Sequence, residues 1–340
     1  MKIAINGFGR IGRAFVRAAY QSRDELSIVA VNDLGDIDNL AYLLKYDSVY
    51  GKAPCEVRIV DGKLIAGDWS IEALVEKDPA KLPWKDLGID IVVEATGLLT
   101  EYAKAKAHLD AGAKRVVISA PAKGDPREVG VTGATVLLGV NNDKMKTCQI
   151  TSNASCTTNA ASPLIAILDE SIGIEKAILN TTHAYTATQA IVDAPAKDDW
   201  RRGRAGAINM SPSSTGAAKA VTQAYESLKD KFDGIAVRVP ISAGSLADVT
   251  FIAKRKTTVE EVNAALKKAA GEGRWKKVFA VTEEELVSSD IVGSIYGSIA
   301  DLTMTRVVDG TLVKVLAWYD NEMGYTYTLV EHVLEAGRSL

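Results

Sequence analysis

The 340-residue sequence has only three cysteines, Cys55, Cys148 and Cys156. Their odd number, without paired close spacing, argues against a disulfide framework and against a CxxC metal site, so no metal is expected. An excess of either charge is also missing: 40 Lys and Arg stand against 43 Asp and Glu, a formal net charge of -3. No bulk basic field therefore draws the chain to nucleic acid or to an anionic lipid surface, and any anion site must be local. Long apolar runs are absent too. The opening Ile3-Ala4-Ile5 stops at polar Asn6, too short for a signal peptide, and no later stretch reaches membrane-spanning length. These absences together predict a cytoplasmic chain with neither a nucleic-acid nor a membrane partner.

Repeats of solenoid period and low-complexity tracts are likewise missing, so the architecture rests on ordinary strands and helices. An apolar fraction of 47% with 24% charged residues is that of a globular enzyme, and the length suggests about two domains. Apolar runs at residues 2–6, 27–32, 89–95, 115–119 and 136–140 read as buried strands, with helical periodicity at 11–19, 37–46 and 101–111 between them. That alternation predicts a doubly wound, Rossmann-type parallel sheet of class α/β. Beyond Asn153 the texture changes. A helix from about Cys156, a long loop over 190–214, a helix from Gly216 and longer alternating strands at 235–240, 247–253 and 311–318 predict an α+β unit with a mostly antiparallel or mixed sheet. A last amphipathic helix over 325–336 is expected to return to the first domain. The expected boundaries are a dinucleotide-binding domain over 1–155 completed by 321–340, and a catalytic domain over 156–320.

Between the first strand and first helix lies Gly7-Phe8-Gly9-Arg10-Ile11-Gly12. Its glycines permit a tight turn and close approach of a pyrophosphate, and the uncapped N–H groups of the helix hold an anion without a basic side chain. Asn32-Asp33 ends the second strand, 21 residues after Gly12, where an acidic group accepts from ribose hydroxyls and repels a 2'-phosphate. NAD is thus favoured over NADP, although Asp33 read alone also suits a turn or a helix cap.

Cys156 sits in Ser152-Asn153-Ala154-Ser155-Cys156-Thr157-Thr158-Asn159 at a strand-to-helix junction. The positive end of the helix, and an imidazolium beside it, would favour the attacking thiolate. His183, 27 residues on at the end of an apolar strand, is the candidate base. His108, His332, Cys55 and Cys148 read as packing residues.

With these residues in view, the sequence resembles the glyceraldehyde-3-phosphate dehydrogenases along essentially its whole length. The carrying segments are 4–13, Leu44-Lys45-Tyr46-Asp47-Ser48, Ile118-Ser119-Ala120-Pro121-Ala122, 152–159, His183-Ala184-Tyr185-Thr186, Ser214-Thr215-Gly216-Ala217-Ala218-Lys219 and Trp318-Tyr319-Asp320-Asn321-Glu322. The resemblance implies an NAD-dependent, phosphorylating aldehyde dehydrogenase of glycolysis, in which Cys156 attacks glyceraldehyde 3-phosphate, His183 takes the proton, and a hemithioacetal becomes a thioester that inorganic phosphate cleaves. It assigns Arg238 and Thr186 to the substrate phosphate, and Ser155, Thr157, Thr215, Gly216 and Arg202 to the phosphate sites. Arginine suits that task through bidentate geometry. Arg201-Arg202-Gly203-Arg204 read alone is also compatible with a solvated basic turn. To the cofactor the resemblance adds Asn32, Asp33, Lys77, Thr96, Gly97, Ser119 and Asn321, the last on the nicotinamide carboxamide. The loop 190–214 is similar to one that lies at a subunit contact, implying a homotetramer.

Departures mark where carried-over roles are weakest. Lys77 stands in place of a usual arginine, Ala95 of a serine, Met323 of a tryptophan, Ala187-Thr188 of a pair containing aspartate, and Ala194 of a leucine before Pro195. Erythrose 4-phosphate or another phosphorylated aldehyde is the alternative substrate. A non-catalytic binding protein of the same fold is the alternative of another class, against which Cys156 and His183 argue. Residues 124–133 read as a surface excursion.

Overall fold

The computed structural model describes residues 1–197 and 199–340. The chain divides into two compact units, residues 1–136 with 142–154 and 329–340, and residues 137–141 with 155–328.

In the first unit nine strands form one sheet, in the spatial order Gly133–Thr135, Ile150–Ser152, Arg115–Ile118, Ile91–Glu94, Lys2–Asn6, Ser27–Asn32, Trp69–Leu74, Lys63–Ala66 and Val57–Val60. The first seven pair in parallel; the last two close an antiparallel meander. Ile91–Glu94 and Arg115–Ile118 are buried at every position, as central parallel strands covered on both faces must be. Helices Arg10–Ala19, Ile37–Lys45 and Tyr102–Asp110 supply the crossovers, and Asp36 caps the second by accepting from the Asn39 amide. The buried Arg115 guanidinium donates to the carbonyls of Ala336 and Ser339 at 2.9 Å each, satisfying the end of the chain within this unit.

The expected strand over 136–140 is not formed. Thr135 ends the edge strand, and 138–140 turn, with Gly139 at φ 83°. A Cβ on Gly139 would meet the Trp275 ring at 2.5 Å, so the apolar run is spent on packing in the second unit. The excursion at 124–133 holds a short 3-10 turn, Pro126–Val129, capped by Asp125, with Val131 buried beneath it.

In the second unit seven strands run in the order Ser211–Ser214, Phe232–Val239, Ile174–Ala184, Ser245–Ala253, Leu312–Tyr319, Ser298–Val308 and Phe279–Thr282. The sheet is mixed: Ile174–Ala184 pairs in parallel with Phe232–Val239 and antiparallel with Ser245–Ala253. In Ser245–Ala253 every second residue is buried, the period-two signature of a strand with one covered face. Helix Cys156–Ser171, nearly all buried, packs on that sheet beside Ala217–Ala224 and Val259–Ala270. The last of these starts at a Thr258 cap and carries Glu260 and Glu261 in its first turn and Lys267 and Lys268 in its last, matching the helix dipole. Among the described residues no helix is long and apolar enough to cross a membrane.

Candidate functional site

A cleft of about 430 Å³ opens at the carboxyl ends of the parallel strands of the first unit, lined among others by Asn6, Gly7, Gly9, Asn32, Asp33, Glu76, Lys77, Ala95 and Thr96. Open α/β sheets bind ligands at this edge. The three motif glycines are needed for three different reasons. Gly7 has φ 94°, and a Cβ there would lie 2.5 Å from the Thr96 amide nitrogen. At Gly12 a Cβ would lie 2.3 Å from the Gly7 carbonyl, blocking the approach of helix to turn. Gly9 faces nothing within 4 Å and precedes Arg10–Ala19 without a side-chain cap, so its surroundings leave room for a pyrophosphate on the helix amides. Asp33 is held by backbone donors, Oδ2 accepting from the Phe8 amide at 2.7 Å and Oδ1 from Gly35 at 2.9 Å. Each carboxylate oxygen keeps a second lone pair for a ribose hydroxyl. Lys77 is exposed on the cleft wall, Gly97 is exposed at φ 73°, Ile11 is half-buried, and the Ser119 amide bonds the Glu94 carbonyl at 2.9 Å. Arg10 turns its guanidinium onto Asp47 and the face of Tyr50.

In the second unit Cys156 is the first residue of its helix, and its Sγ lies 3.3 Å from His183 Nε2. Ser155 caps that helix, its Oγ accepting from the Thr158 amide at 3.2 Å. His183 comes from the strand Ile174–Ala184, where the parallel register sets it opposite Arg238. Arg238 Nη1 approaches His183 Nδ1 at 2.6 Å and the Ala184 carbonyl at 3.2 Å, while His183 Nδ1 is itself 2.7 Å from that carbonyl. A guanidinium only donates and a carbonyl only accepts, so these contacts select opposite tautomers. With its hydrogen on Nδ1, bonded to Ala184, the ring offers a bare Nε2 to the thiol. With Nδ1 accepting from Arg238, the hydrogen sits on Nε2 and points at sulfur.

The pull of the helix end toward thiolate is opposed by burial at both residues. Burial, and next the Arg238 charge, push His183 down to about 3, so it stands neutral. Burial pushes the Cys156 thiol up, and the Arg238 charge and hydrogen bonds at Thr157 oppose that rise without overcoming it. His183 is enclosed by packed protein, whereas Cys156 is only half-buried and its sulfur stays open to a substrate. A sulfur 3.3 Å from an imidazole nitrogen is a nucleophile with a proton acceptor in place.

Tyr319, in a motif segment but given no role from sequence, anchors this pair. Fully buried, its hydroxyl meets Thr157 Oγ1 at 2.8 Å and Thr181 Oγ1 at 2.7 Å, and its ring stands edge-on to His183 at 5.9 Å. Thr157, expected at a phosphate site, thus has its hydroxyl engaged inside the fold. Asn321 is buried with Oδ1 accepting from Ser245 Oγ at 2.9 Å, which turns its NH2 the other way; Ser245 Oγ also accepts from the Ala184 amide at 3.1 Å. Ser245 is a polar residue at a strand start, and nothing in its local sequence marks it. Thr186 Oγ1 pairs with Thr188 at 2.9 Å. Arg202 donates to Ser213 Oγ at 3.0 and 3.1 Å and lines a cavity of about 660 Å³ with Thr188, Gln189, Lys197 and Ser214. Thr215 Oγ1 accepts from the Ala217 amide, and Gly216 precedes that helix with no side-chain cap. No His, Cys, Asp and Glu group that could hold a metal occurs among the described residues.

Residues 1–102 match the family described as glyceraldehyde 3-phosphate dehydrogenase, NAD binding domain, and residues 155–321 match the glyceraldehyde 3-phosphate dehydrogenase C-terminal domain. Over its whole length the chain is 47% identical to glyceraldehyde-3-phosphate dehydrogenase 1 of Streptomyces avermitilis, covering 99% of that protein. It is 48% identical to the glyceraldehyde-3-phosphate dehydrogenase of Mycobacterium tuberculosis strain H37Rv and 45% identical to that of Streptomyces coelicolor, again with full coverage of this chain and 99% of each relative.

Proposed function

Because the chain belongs to the glyceraldehyde-3-phosphate dehydrogenase family, we propose that Cys156 and His183 carry the NAD-linked oxidation of glyceraldehyde 3-phosphate to 1,3-bisphosphoglycerate. The observation that carries this reading is the 3.3 Å approach of Sγ to Nε2. Sulfur bonds the aldehyde carbon while its proton passes to bare Nε2, giving a hemithioacetal. The Nε2–H so formed donates to the developing oxyanion. Bound NAD supplies the hydride acceptor that turns the hemithioacetal into a thioester. A phosphate oxygen then attacks the acyl carbon, the C–S bond breaks, and the sulfur regains its proton from His183.

In this reading the substrate phosphate draws Arg238 off the imidazole, with Thr186 beside it, and the release favours the tautomer that leaves Nε2 bare. Arg202, Ser155, Thr215, Gly216 and the backbone of Thr157 serve the phosphate sites. The first unit is the dinucleotide-binding domain, completed by the end of the C-terminal helix, and the second is catalytic. Gly7, Phe8, Gly9, Arg10, Ile11 and Gly12 form the pyrophosphate turn, Asp33 takes the ribose, and Asn321 offers its NH2 to the carboxamide. Three free cysteines, one of them the nucleophile, suit the reducing cytoplasm. A homotetramer accounts for the apolar side chains that loop 190–214 exposes: Ile191, Val192, Trp200, Ile208 and Met210 are each at least 73% exposed. Introducing charge as Trp200→Glu with Ile208→Glu should lower the molar mass measured by light scattering; an unchanged mass would contradict this contact.

The test of the activity is NADH formation with the aldehyde or the phosphate omitted in turn, beside a run with erythrose 4-phosphate. Sustained turnover should need both glyceraldehyde 3-phosphate and inorganic phosphate. A higher kcat/KM for erythrose 4-phosphate would transfer the assignment to that aldehyde.

A further inference from the structure

The parallel register aligns the last residues of three neighbouring strands, Glu94, Asn6 and Asn32, in one row across the carboxyl edge of the first sheet. All three are at most 5% exposed, and two of them line the dinucleotide cleft. The direction of every hydrogen bond along this row can be deduced. Trp84 Nε1 can only donate, so His108 Nδ1, 3.1 Å away, accepts; the ring hydrogen is therefore on Nε2, which donates to Glu94 Oε2 at 3.0 Å. Asn6 Nδ2 donates to the same oxygen at 2.7 Å. The Thr96 amide donates to Glu94 Oε1 at 2.8 Å, and the Thr96 hydroxyl donates there as well. Every polar neighbour of Glu94 is thus a donor, and its carboxylate is the acceptor on which the row terminates.

From that terminus the polarity runs outward. With Nδ2 on Glu94, Asn6 presents Oδ1 to Asn32 Nδ2 at 2.7 Å. Asn32 then pairs with the backbone of Glu76 through both ends of its amide, accepting from the amide nitrogen at 2.8 Å and donating to the carbonyl at 2.9 Å. Glu76 and Lys77 are cleft wall. We propose that Glu94 is a positioning residue for NAD: it fixes the orientation of Asn6 and Asn32, and through them the wall at Glu76 and Lys77, while its other oxygen fixes Thr96. The inference rests on the cleft being that of NAD, which binding by the unaltered protein tests separately.

Reversing the row is blocked at its far end. In Glu94→Gln the new NH2 faces either Asn6 Nδ2 and His108 Nε2–H or the two donors of Thr96. Flipping Asn6 to accept from it sets Nδ2 against Asn32 Nδ2, and flipping Asn32 in turn sets its amide against the Glu76 backbone, which cannot invert. Some buried polar group is left unpaired whichever way the conflict resolves. Asn6→Asp alone places two carboxylates together and fails for the opposite reason. Asn6→Asp with Glu94→Gln moves the acceptor by one residue: the carboxylate now at position 6 accepts from Asn32, from the new NH2 and, in the place of Asn6 Nδ2 3.4 Å away, from His108 Nε2–H, which loses its Glu94 acceptor, and the amide oxygen at position 94 still accepts from Thr96.

The experiment measures NAD dissociation constants by calorimetry and apo-protein melting midpoints for these variants and for Trp84→Phe, with KM for NAD and kcat in parallel. Each single substitution at 6 or 94 should weaken NAD by about tenfold and raise KM more than it lowers kcat, and the pair should recover to within roughly threefold of the unaltered protein. Trp84→Phe leaves the row intact and should lower the melting midpoint without weakening NAD. Unchanged NAD affinity in Glu94→Gln, or a pair that binds no better than its weaker member, overturns the proposal. If Glu94→Gln fails to fold, recovery of folding and binding in the pair supports it, and a folded pair that does not bind NAD refutes it.

Discussion

Acidification from pH 7 to pH 5 should weaken the fold through its buried histidines, and His332 isolates the effect because it lies outside the reacting pair. Its ring is fully buried, Nε2 2.7 Å from Thr151 Oγ1 and Nδ1 3.2 Å from Asn153 Oδ1. Burial pushes it from an ordinary 6.5 down to about 3. The folded chain therefore refuses a proton that the unfolded chain accepts, so this contribution is complete above pH 6.5 and is lost as the pH falls from there toward 3. At pH 5 the unfolded chain is favoured by about 1.5 pH units, or about 2 kcal/mol, and His183, shifted to the same value, adds a similar amount. Urea unfolding at the two pH values, followed by tryptophan fluorescence, measures the total. His332→Gln keeps a donor and an acceptor but does not titrate; it should cut the loss between pH 7 and pH 5 by about 2 kcal/mol. An equal loss in both proteins would show that the His332 site accommodates the charge and would refute the reasoning.

Three further substitutions probe separate parts of the account. Asp33→Ala removes the carboxylate that would repel a 2'-phosphate and should raise the NADP to NAD ratio of kcat/KM by roughly an order of magnitude; no gain would locate the discrimination elsewhere. Tyr319→Phe takes the shared hydroxyl from two buried threonines and should cost about 1–3 kcal/mol in unfolding experiments, whereas a neutral outcome would mean both rearrange freely. Gly9→Ala, with nothing nearby to clash, should leave the melting midpoint of the apo protein unchanged but weaken NAD, while Gly12→Ala should lower both because its Cβ meets the Gly7 carbonyl. Equal melting losses in the two would contradict the division of labour drawn among the glycines.

Four central strands of the first sheet, within 2–6, 27–32, 89–95 and 115–119, could be read from sequence because such strands are continuous apolar runs and their crossover helices repeat at 3.6 residues, whereas Gly133–Thr135, Ile150–Ser152 and the three strands within 57–74 could not. The same reading mistook 136–140 for a strand: an apolar run ends in a turn when Gly139 must take a positive φ under the ring of Trp275, a contact 136 residues away in sequence that no local pattern reveals. In the same way, chemistry concentrated in one segment was legible and chemistry assembled by register was not. Cys156 and His183 stand out as rare residues among small polar neighbours. Arg238 facing the imidazole, Tyr319 holding Thr157 and Thr181, and Ser245 orienting Asn321 all depend on which strands lie side by side. The helix end beside Cys156 is visible in sequence, whereas the burial that opposes its pull belongs to the packed fold.

The most direct measurement is the intact mass of the protein, followed by peptide mapping, after mixing with NAD and glyceraldehyde 3-phosphate with inorganic phosphate left out. One acyl group per chain should accumulate on Cys156, matched by one NADH, and should vanish when phosphate is added. NADH formed without an adduct, or an adduct on Cys55 or Cys148 alone, would contradict the covalent route.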